Sequence, residues 1–186
     1  MPRIKYRPFV PYQDAFDEFA KLRKEVNRAA DEGEEEFKDV FSQVKVAAAE
    51  ENTVAMDILA YYYKTGVENM LPENYERYIN WQLLAAARGN QFAIEKLQFL
   101  IGFACDQIIE HEDFDLIAYK NDIEQSNLLY VLGKAIAKIY VKEFGIYAVD
   151  LFESEDDYQP YKKENSINLR RNIEKIIPKT INYLKS

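Results

Sequence analysis

The sequence predicts an all-α protein built from helix pairs, and three observations carry that prediction. The 186 residues include only 6 Gly and 6 Pro beside abundant Ala, Leu, Glu and Lys, too few turn residues for a many-stranded β-architecture. Apolar residues recur every three or four positions along most of the chain, the spacing of an amphipathic helix face. A segment also repeats: aligning residues 45–59 with 83–97 superposes Ala47 on Ala85, Ala48 on Ala86, Ala49 on Ala87, Asn52 on Asn90, Ala55 on Ala93 and Leu59 on Leu97, an offset of 38 residues. The match extends upstream to Phe37/Tyr75, Val40/Tyr78 and Phe41/Ile79, apolar or aromatic on both sides. A period of that size accommodates one helix pair per repeat.

The first helix carries Phe16, Phe19, Leu22, Val26 and Ala30, with Asp14 as N-cap and Gly33 as its stop. A second carries Phe37, Val40, Phe41, Val44 and Ala48, and a third Val54, Ile58, Leu59 and Tyr62, ending at Gly66. Pro72 precedes a fourth with Tyr75, Ile79, Leu83 and Ala86 on one face. Gly89 and Asn90 supply the turn after it, and three consecutive alanines before that turn let a neighbouring helix approach closely. A fifth helix runs from about Gln91 through Phe92, Leu97, Leu100, Ile101, Ala104 and Ile108, and the acidic stretch 110–115 breaks it. Leu128, Leu129, Leu132, Ile136, Ile139 and Tyr140 mark the next helix, within 123–144, with Gly145 as its stop. Residues 150–160 are acidic, contain Pro160 and read as an exposed loop; Ile173, Ile176, Ile177, Ile181 and Leu184 then line a final helix that Pro178 should kink or restart.

Ala55, Leu59, Tyr62 or Tyr63, Gly66-Val67, Tyr75, Trp81, Ala85-Ala86, Gly89-Asn90, Ala93 and Leu97 follow one another in an order that has a known counterpart. On these residues the stretch 37–104 resembles the Sel1-like repeats, relatives of the tetratricopeptide repeats, and the run from Trp81 to Asn90 lies nearest the family pattern. The resemblance implies one α-solenoid domain over residues 1–186, a right-handed α/α superhelix of antiparallel helix pairs with divergent terminal helices. In that frame residues 14–33 form the N-terminal helix, 34–109 the Sel1-like pairs, 122–145 a further helix and 164–185 the C-terminal helix. Ala47, Ala48, Ala55, Leu59, Gly66, Trp81, Ala85, Ala86, Gly89, Ala93 and Leu97 are then the repeat's packing positions. The role implied is that of an adaptor or scaffold, and some bacterial members of the family neutralise toxins or link signalling proteins.

Charge and composition narrow the function classes. A net charge of −8 repels a phosphate backbone, which argues against a nucleic-acid partner and would speed encounter with a basic protein. Cys105 is the only cysteine, so no intrachain disulfide can form and a reducing, cytoplasmic setting is expected. Residues 1–10 show no apolar stretch of the signal-peptide kind, and no run reaches membrane-spanning length.

Catalytic and cofactor chemistry finds few residues, so no enzyme activity and no cofactor are expected. His111 is the single histidine, which excludes sites needing two. With Glu110, Glu112, Asp113 and Asp115 it could hold a divalent cation in a metal-dependent enzyme or binding protein, the alternative function; the competing reading is a solvated loop that caps helices. The acidic run 153–157 lacks the glycine and alternation of an EF-hand loop. Cys105 falls on an apolar helix stripe and reads as a small buried hydrophobe, and no glycine-rich phosphate loop is present.

Recognition has more support. Tyr61, Tyr62 and Tyr63 span about 200° of a helix, so at least one should be exposed, either as an aromatic anchor for a protein partner on the concave surface or as cover for a neighbouring helix. Trp81 reads as core. Arg170, Arg171, Lys162, Lys163, Lys175, Lys179 and Lys185 make the C-terminal helix locally basic, either a dock for an acidic partner or a solvated face. The expected function is therefore non-enzymatic protein binding, as an adaptor or as an inhibitor of a basic partner such as a toxin, with homo-oligomerisation a further possibility.

Overall fold

A computed structural model describes residues 9–115, 117, 128–153 and 157–186, with the side chains of Phe152 and Glu153 excepted. Among them the chain is all-helical: α1 (Tyr12–Glu32), α2 (Glu34–Ala49), α3 (Thr53–Thr65), α4 (Tyr75–Ala87), α5 (Gln91–Lys96), α6 (Gln98–Ile109), α7 (Leu128–Glu143), α8 (Ala148–Glu153) and α9 (Lys163–Lys185). Isolated bridges, Val10 with Asn90, Val67 with Leu71 and Asn74 with Gln159, are the extended pairings seen among those residues.

Hydrophobic patterning sets the layer each helix occupies. α1 buries Ala15, Phe19, Val26 and Ala29 and leaves Phe16 42% exposed, so its inner face is rotated from the predicted stripe. It also begins at Tyr12 behind Pro11, which places Asp14 in the first turn and not at the cap. α2 buries Phe37, Phe41, Val44 and Ala48 on one side. α3 and α4 are apolar around most of their circumference, the pattern of helices enclosed by others. They pack most extensively on each other; α4 also lies against α7, and α3 against α2 and α1. α9 closes the assembly over α7 and α6, and it continues as one helix through Pro178, which itself donates no backbone hydrogen bond. Buried side chains from Phe19 to Leu184 form one contiguous core.

The two aligned segments end their helices alike. After α2, Glu50, Glu51 and Asn52 donate their N–H groups to Val46, Ala48 and Ala47; after α4, Arg88, Gly89 and Asn90 donate to Leu84, Ala86 and Ala85. Each is the paired closure of a Schellman turn, with one residue in the left-handed region, Glu51 at φ 72° and Gly89 at φ 86°. Asn52 and Asn90 then cap the following helices, the first accepting from Val54 and Ala55 and the second from Ala93. Arg88 joins the turns through its ion pair with Glu51.

Two predicted elements differ. The fifth helix is interrupted at Leu97, which is fully buried at φ −81°, ψ −6°, between α5 and α6. Ile94 before the interruption and Ile101 after it both face Gly133 of α7, where a Cβ would stand 2.5 Å from Ile94 Cγ2, so close passage of α7 accompanies the bend. Within 150–160, the loop reading fails before residues 154–156, where α8 occupies Ala148–Glu153, and holds after them, where residues 157–160 are non-helical and Tyr158 is exposed, although Gln159 pairs with Asn74 at the start of α4. Part of the predicted helix 122–145, residues 122–127, lies outside the described residues.

Candidate functional site

An aromatic groove of about 380 Å³ opens where α3, α4, α6 and the start of α9 converge, lined by Tyr63, Lys64, Glu73, Tyr75, Tyr78, Phe99, Leu100, Gln159, Tyr161 and Ser166. That volume suits a few side chains or a small ligand. Its walls are assembled from the sequence upward. Asn74 accepts from the Arg77 N–H at 3.0 Å and so starts α4, placing Tyr75 and Tyr78 on the groove side. The same Asn74 side chain donates to the Asp157 carbonyl at 2.9 Å. Gln159 donates its N–H to the Glu73 carbonyl and accepts from the Tyr75 N–H at 2.7 Å, while its side chain accepts from Glu76 at 3.0 Å. These bonds hold the extended segment that brings Tyr161 to the groove beside Tyr75, the two ring centroids 5.4 Å apart.

Tyr63 forms the floor. It is 1% exposed, its hydroxyl accepts from buried Arg77 at 3.2 Å, and its ring meets Phe41 edge-on at 5.9 Å. Phe99 and Tyr161 stand at the rim, 70% and 61% exposed. Burial, followed by the neighbouring Tyr161 and Tyr140, pushes the Tyr75 phenol up to about 12; burial, followed by Tyr75 and Asp57, does the same for Tyr78. Both remain neutral at physiological pH and present ring surfaces to the groove. The Tyr75 oxygen is buried without a hydrogen-bond partner among the described residues. Lys64 places its ammonium 5.4 Å from the Tyr78 ring centre and 5.9 Å from that of Phe99, within range of a cation–π attraction. A shallower depression of about 220 Å³ continues the groove past Phe99 and Leu100 to Phe103, Ile167 and Arg170, whose guanidinium lies 4.2 Å from the Phe103 ring centre.

The tyrosine triplet divides. Tyr62 is 3% exposed and donates its hydroxyl to Asn27 at 2.7 Å; Tyr61 is half-buried against Phe19 and Arg23. Neither lines the groove, so of the three only Tyr63 reaches it, and only as its floor. The expectation that at least one triplet tyrosine is exposed is met only by the partial exposure of Tyr61, because α3 is covered by α1, α2 and α4. The exposed rings are Phe99 and Tyr161, which sequence reasoning passed over. A signal for Tyr161 was available in its pairing with Tyr158, two large aromatics within four residues at the end of a segment taken for a solvated loop. Of the packing positions, Ala48, Ala55, Leu59, Trp81, Ala85, Ala86, Gly89, Ala93 and Leu97 are buried, whereas Ala47 and Gly66 are partly exposed.

The other candidate clusters have simpler accounts. His111 Nδ1 accepts from the Asp113 N–H at 3.1 Å, and the Asp113 carboxylate is ion-paired with Lys185, whose hydrogen bond and charge hold its carboxyl below the usual range. Among the described residues no three His, Cys, Asp or Glu side chains converge as a metal site would require. Residues 154–156 of the acidic run 153–157 lie outside the described residues. Cys105 is 4% exposed, and burial, with Asp106 adding, pushes its thiol up to about 11, so it remains a protonated thiol. The basic tract is partly neutralised within the fold: Arg170 pairs with Glu174, Lys179 with Glu143 and Lys185 with Asp113.

An ion pair between buried Asp57 and partly exposed Lys96 lies deeper, between α3 and α5. The Lys96 ammonium is 2.7 Å from Asp57 Oδ1, which also accepts from Gln82 at 2.6 Å, and it sits 4.2 Å from the ring centres of both Phe19 and Phe92. Burial raises the Asp57 carboxyl and lowers the Lys96 amine despite their attraction. This pair does not line the groove.

No helix among the described residues is long and apolar enough to cross a membrane. Comparison with protein-family models, with curated proteins and with solved structures finds no match to the chain.

Proposed function

We propose that the chain is a non-enzymatic protein-binding module, an adaptor or inhibitor, and that a partner's side chains seat in the aromatic groove. The observation that carries this reading is the placement of Phe99 and Tyr161, 70% and 61% exposed, in the lining of a groove that also contains Tyr63, Tyr75 and Tyr78. Burying a large ring contributes about 1.5–3 kcal/mol, and folding alone leaves most of that unrealised for these two. A partner covering both would gain it, in the manner of aromatic anchors that dominate interface energetics.

The Sel1-like reading is part of the proposal. It is supported by the shared hydrogen bonding of the two turns 38 residues apart and by asparagine caps at both. Consecutive helices that pack on one another from α1 to α6 suit a superhelix of helix pairs. A reducing, cytoplasmic setting fits a lone buried thiol.

The test is affinity capture from the native cells with wild-type chain and with a Phe99→Ser/Tyr161→Ser variant as parallel baits, followed by calorimetry on whatever the wild type alone retains. Both substituted rings are exposed, so the variant is expected to melt within a few degrees of wild type. The partner should bind the variant at least about tenfold more weakly, the loss of one anchor's contribution. Identical protein profiles on the two baits would defeat the proposal.

A further inference from the structure

We infer that the segment the groove receives is acidic, with carboxylates flanking a bulky apolar anchor. This rests on the protein-binding reading above and adds the chemistry of the partner.

The whole chain carries a net charge of −8, which by itself favours a basic partner. Contact in a groove is decided at shorter range, because charges farther apart than about 8 Å are largely screened at physiological ionic strength. Within that range the groove and its extension are lined by two cations, Lys64 and Arg170, and one carboxylate, Glu73, with the Glu174 carboxylate beside Arg170 outside the lining. Lys64 makes no ion pair or hydrogen bond among the described residues, and its ammonium already occupies the faces of Tyr78 and Phe99. Arg170 engages Glu174 through Nε at 3.4 Å, an exposed contact between residues four apart, and its two Nη groups make no hydrogen bond among the described residues while the guanidinium lies over Phe103.

That arrangement discriminates between the two charge classes of partner. A lysine or arginine anchor entering the tyrosine walls would meet the Lys64 ammonium on the ring faces it needs, and like charges at such distances repel. An apolar anchor between Tyr75 and Phe99 instead leaves Lys64 in place, and a carboxylate one or two residues away pairs with it. A second carboxylate, farther along the extension, meets the planar guanidinium of Arg170, which matches a carboxylate in two-point geometry. The net charge of −8 over the whole chain disfavours acidic segments at its acidic surfaces, which adds to specificity by penalising those sites.

The experiment is selection of a random-sequence displayed peptide library on the immobilised full-length chain, with the enriched sequences synthesised and titrated by fluorescence anisotropy against wild type, Phe99→Ser and Lys64→Glu. Enriched peptides should carry Phe, Tyr, Trp or Leu with at least two Asp or Glu nearby. They should weaken about tenfold on Phe99→Ser and about three- to tenfold on Lys64→Glu, and peptides with Lys replacing Asp and Glu should bind Lys64→Glu better than they bind wild type. Enrichment of basic peptides that Phe99→Ser still weakens overturns the acidic assignment and leaves the protein-binding reading standing. No enrichment, or enriched peptides indifferent to Phe99→Ser, removes both. Sedimentation of the chain alone completes the set: a concentration-dependent dimer abolished by Phe99→Ser assigns the groove to a second copy and also overturns the proposal.

Discussion

Residues 46–52 and 84–90 fold into the same turn with different side chains at the position that matters most. Gly89 adopts φ 86° without steric cost, whereas Glu51 adopts φ 72° with a Cβ in the way. What the two share is the backbone closure onto the preceding helix and an asparagine that opens the next one. Their surroundings differ more. Ala85, Ala86 and Ala87 are all buried because α4 is enclosed by α3 and α7, while Ala47, at the matching place on α2, remains partly exposed. Asp57 and Glu95 are also aligned, yet Asp57 is wholly buried against Lys96 and Glu95 faces solvent, where it accepts from Tyr130 at 3.2 Å. A common local fold thus leaves the energetic weight of each position to its neighbours.

The largest expected break in the comparison is at the aligned carboxylates. Lys96→Met strands the Asp57 carboxylate in the core and should cost about 3–5 kcal/mol in urea denaturation at neutral pH, whereas Glu95→Gln should change stability by no more than about 0.5 kcal/mol. Adding Asp57→Asn to Lys96→Met should recover most of the loss. Burial already raises the Asp57 carboxyl, and without Lys96 it rises further. The folded state then favours the protonated acid, so the loss is fully present above the folded pKa and shrinks as pH falls towards the unfolded value near about 3.9. Equal costs for the two substitutions would show that the pair is solvated.

A smaller contrast is expected between the alanines. Ala85→Leu inserts a side chain between α4 and its neighbours and should destabilise by about 1–3 kcal/mol, and Ala47→Leu, which can relax towards solvent, by less than about 1 kcal/mol. Thermal melts of the two variants measure the difference, and a reversed order would contradict the assigned burial. The smallest effects belong to the turns. Gly89→Ala should cost about 1–2 kcal/mol, and Glu51→Gly should gain no more than about 1 kcal/mol, since the exposed ion pair with Arg88 goes with it.

Much of the helical layout was legible because period and punctuation act locally. Phe37, Phe41, Val44 and Ala48 mark the inner face of α2, and Gly66 and Gly145 lie just beyond the ends of α3 and α7. The reading was less accurate where packing overrode the local signal. Ala15 is buried in place of Phe16, whose ring instead meets Tyr12 and Phe92 at the edge of the core. No glycine or proline announces the bend at Leu97, which sits where α7 passes against Ile94 and Ile101. The groove was harder still. Its lining comes from α3, the connector before α4, α4, α6, residues 159–161 and the first turn of α9, so no single window of sequence contains it.

The sequence by itself determined that the chain is helical, where most helices start and stop, and which turns share their geometry, because hydrogen bonding, capping and hydrophobic periodicity are settled within a few residues. Only the tertiary structure decided that Tyr63 floors a groove while Tyr62 is sealed, that Phe99 and Tyr161 stand in solvent, and that Lys64 lies across two rings. Those outcomes depend on how far apart in sequence the meeting partners are: Asn74 and Gln159 shape one wall from positions 85 residues apart, and nothing local to either specifies the other.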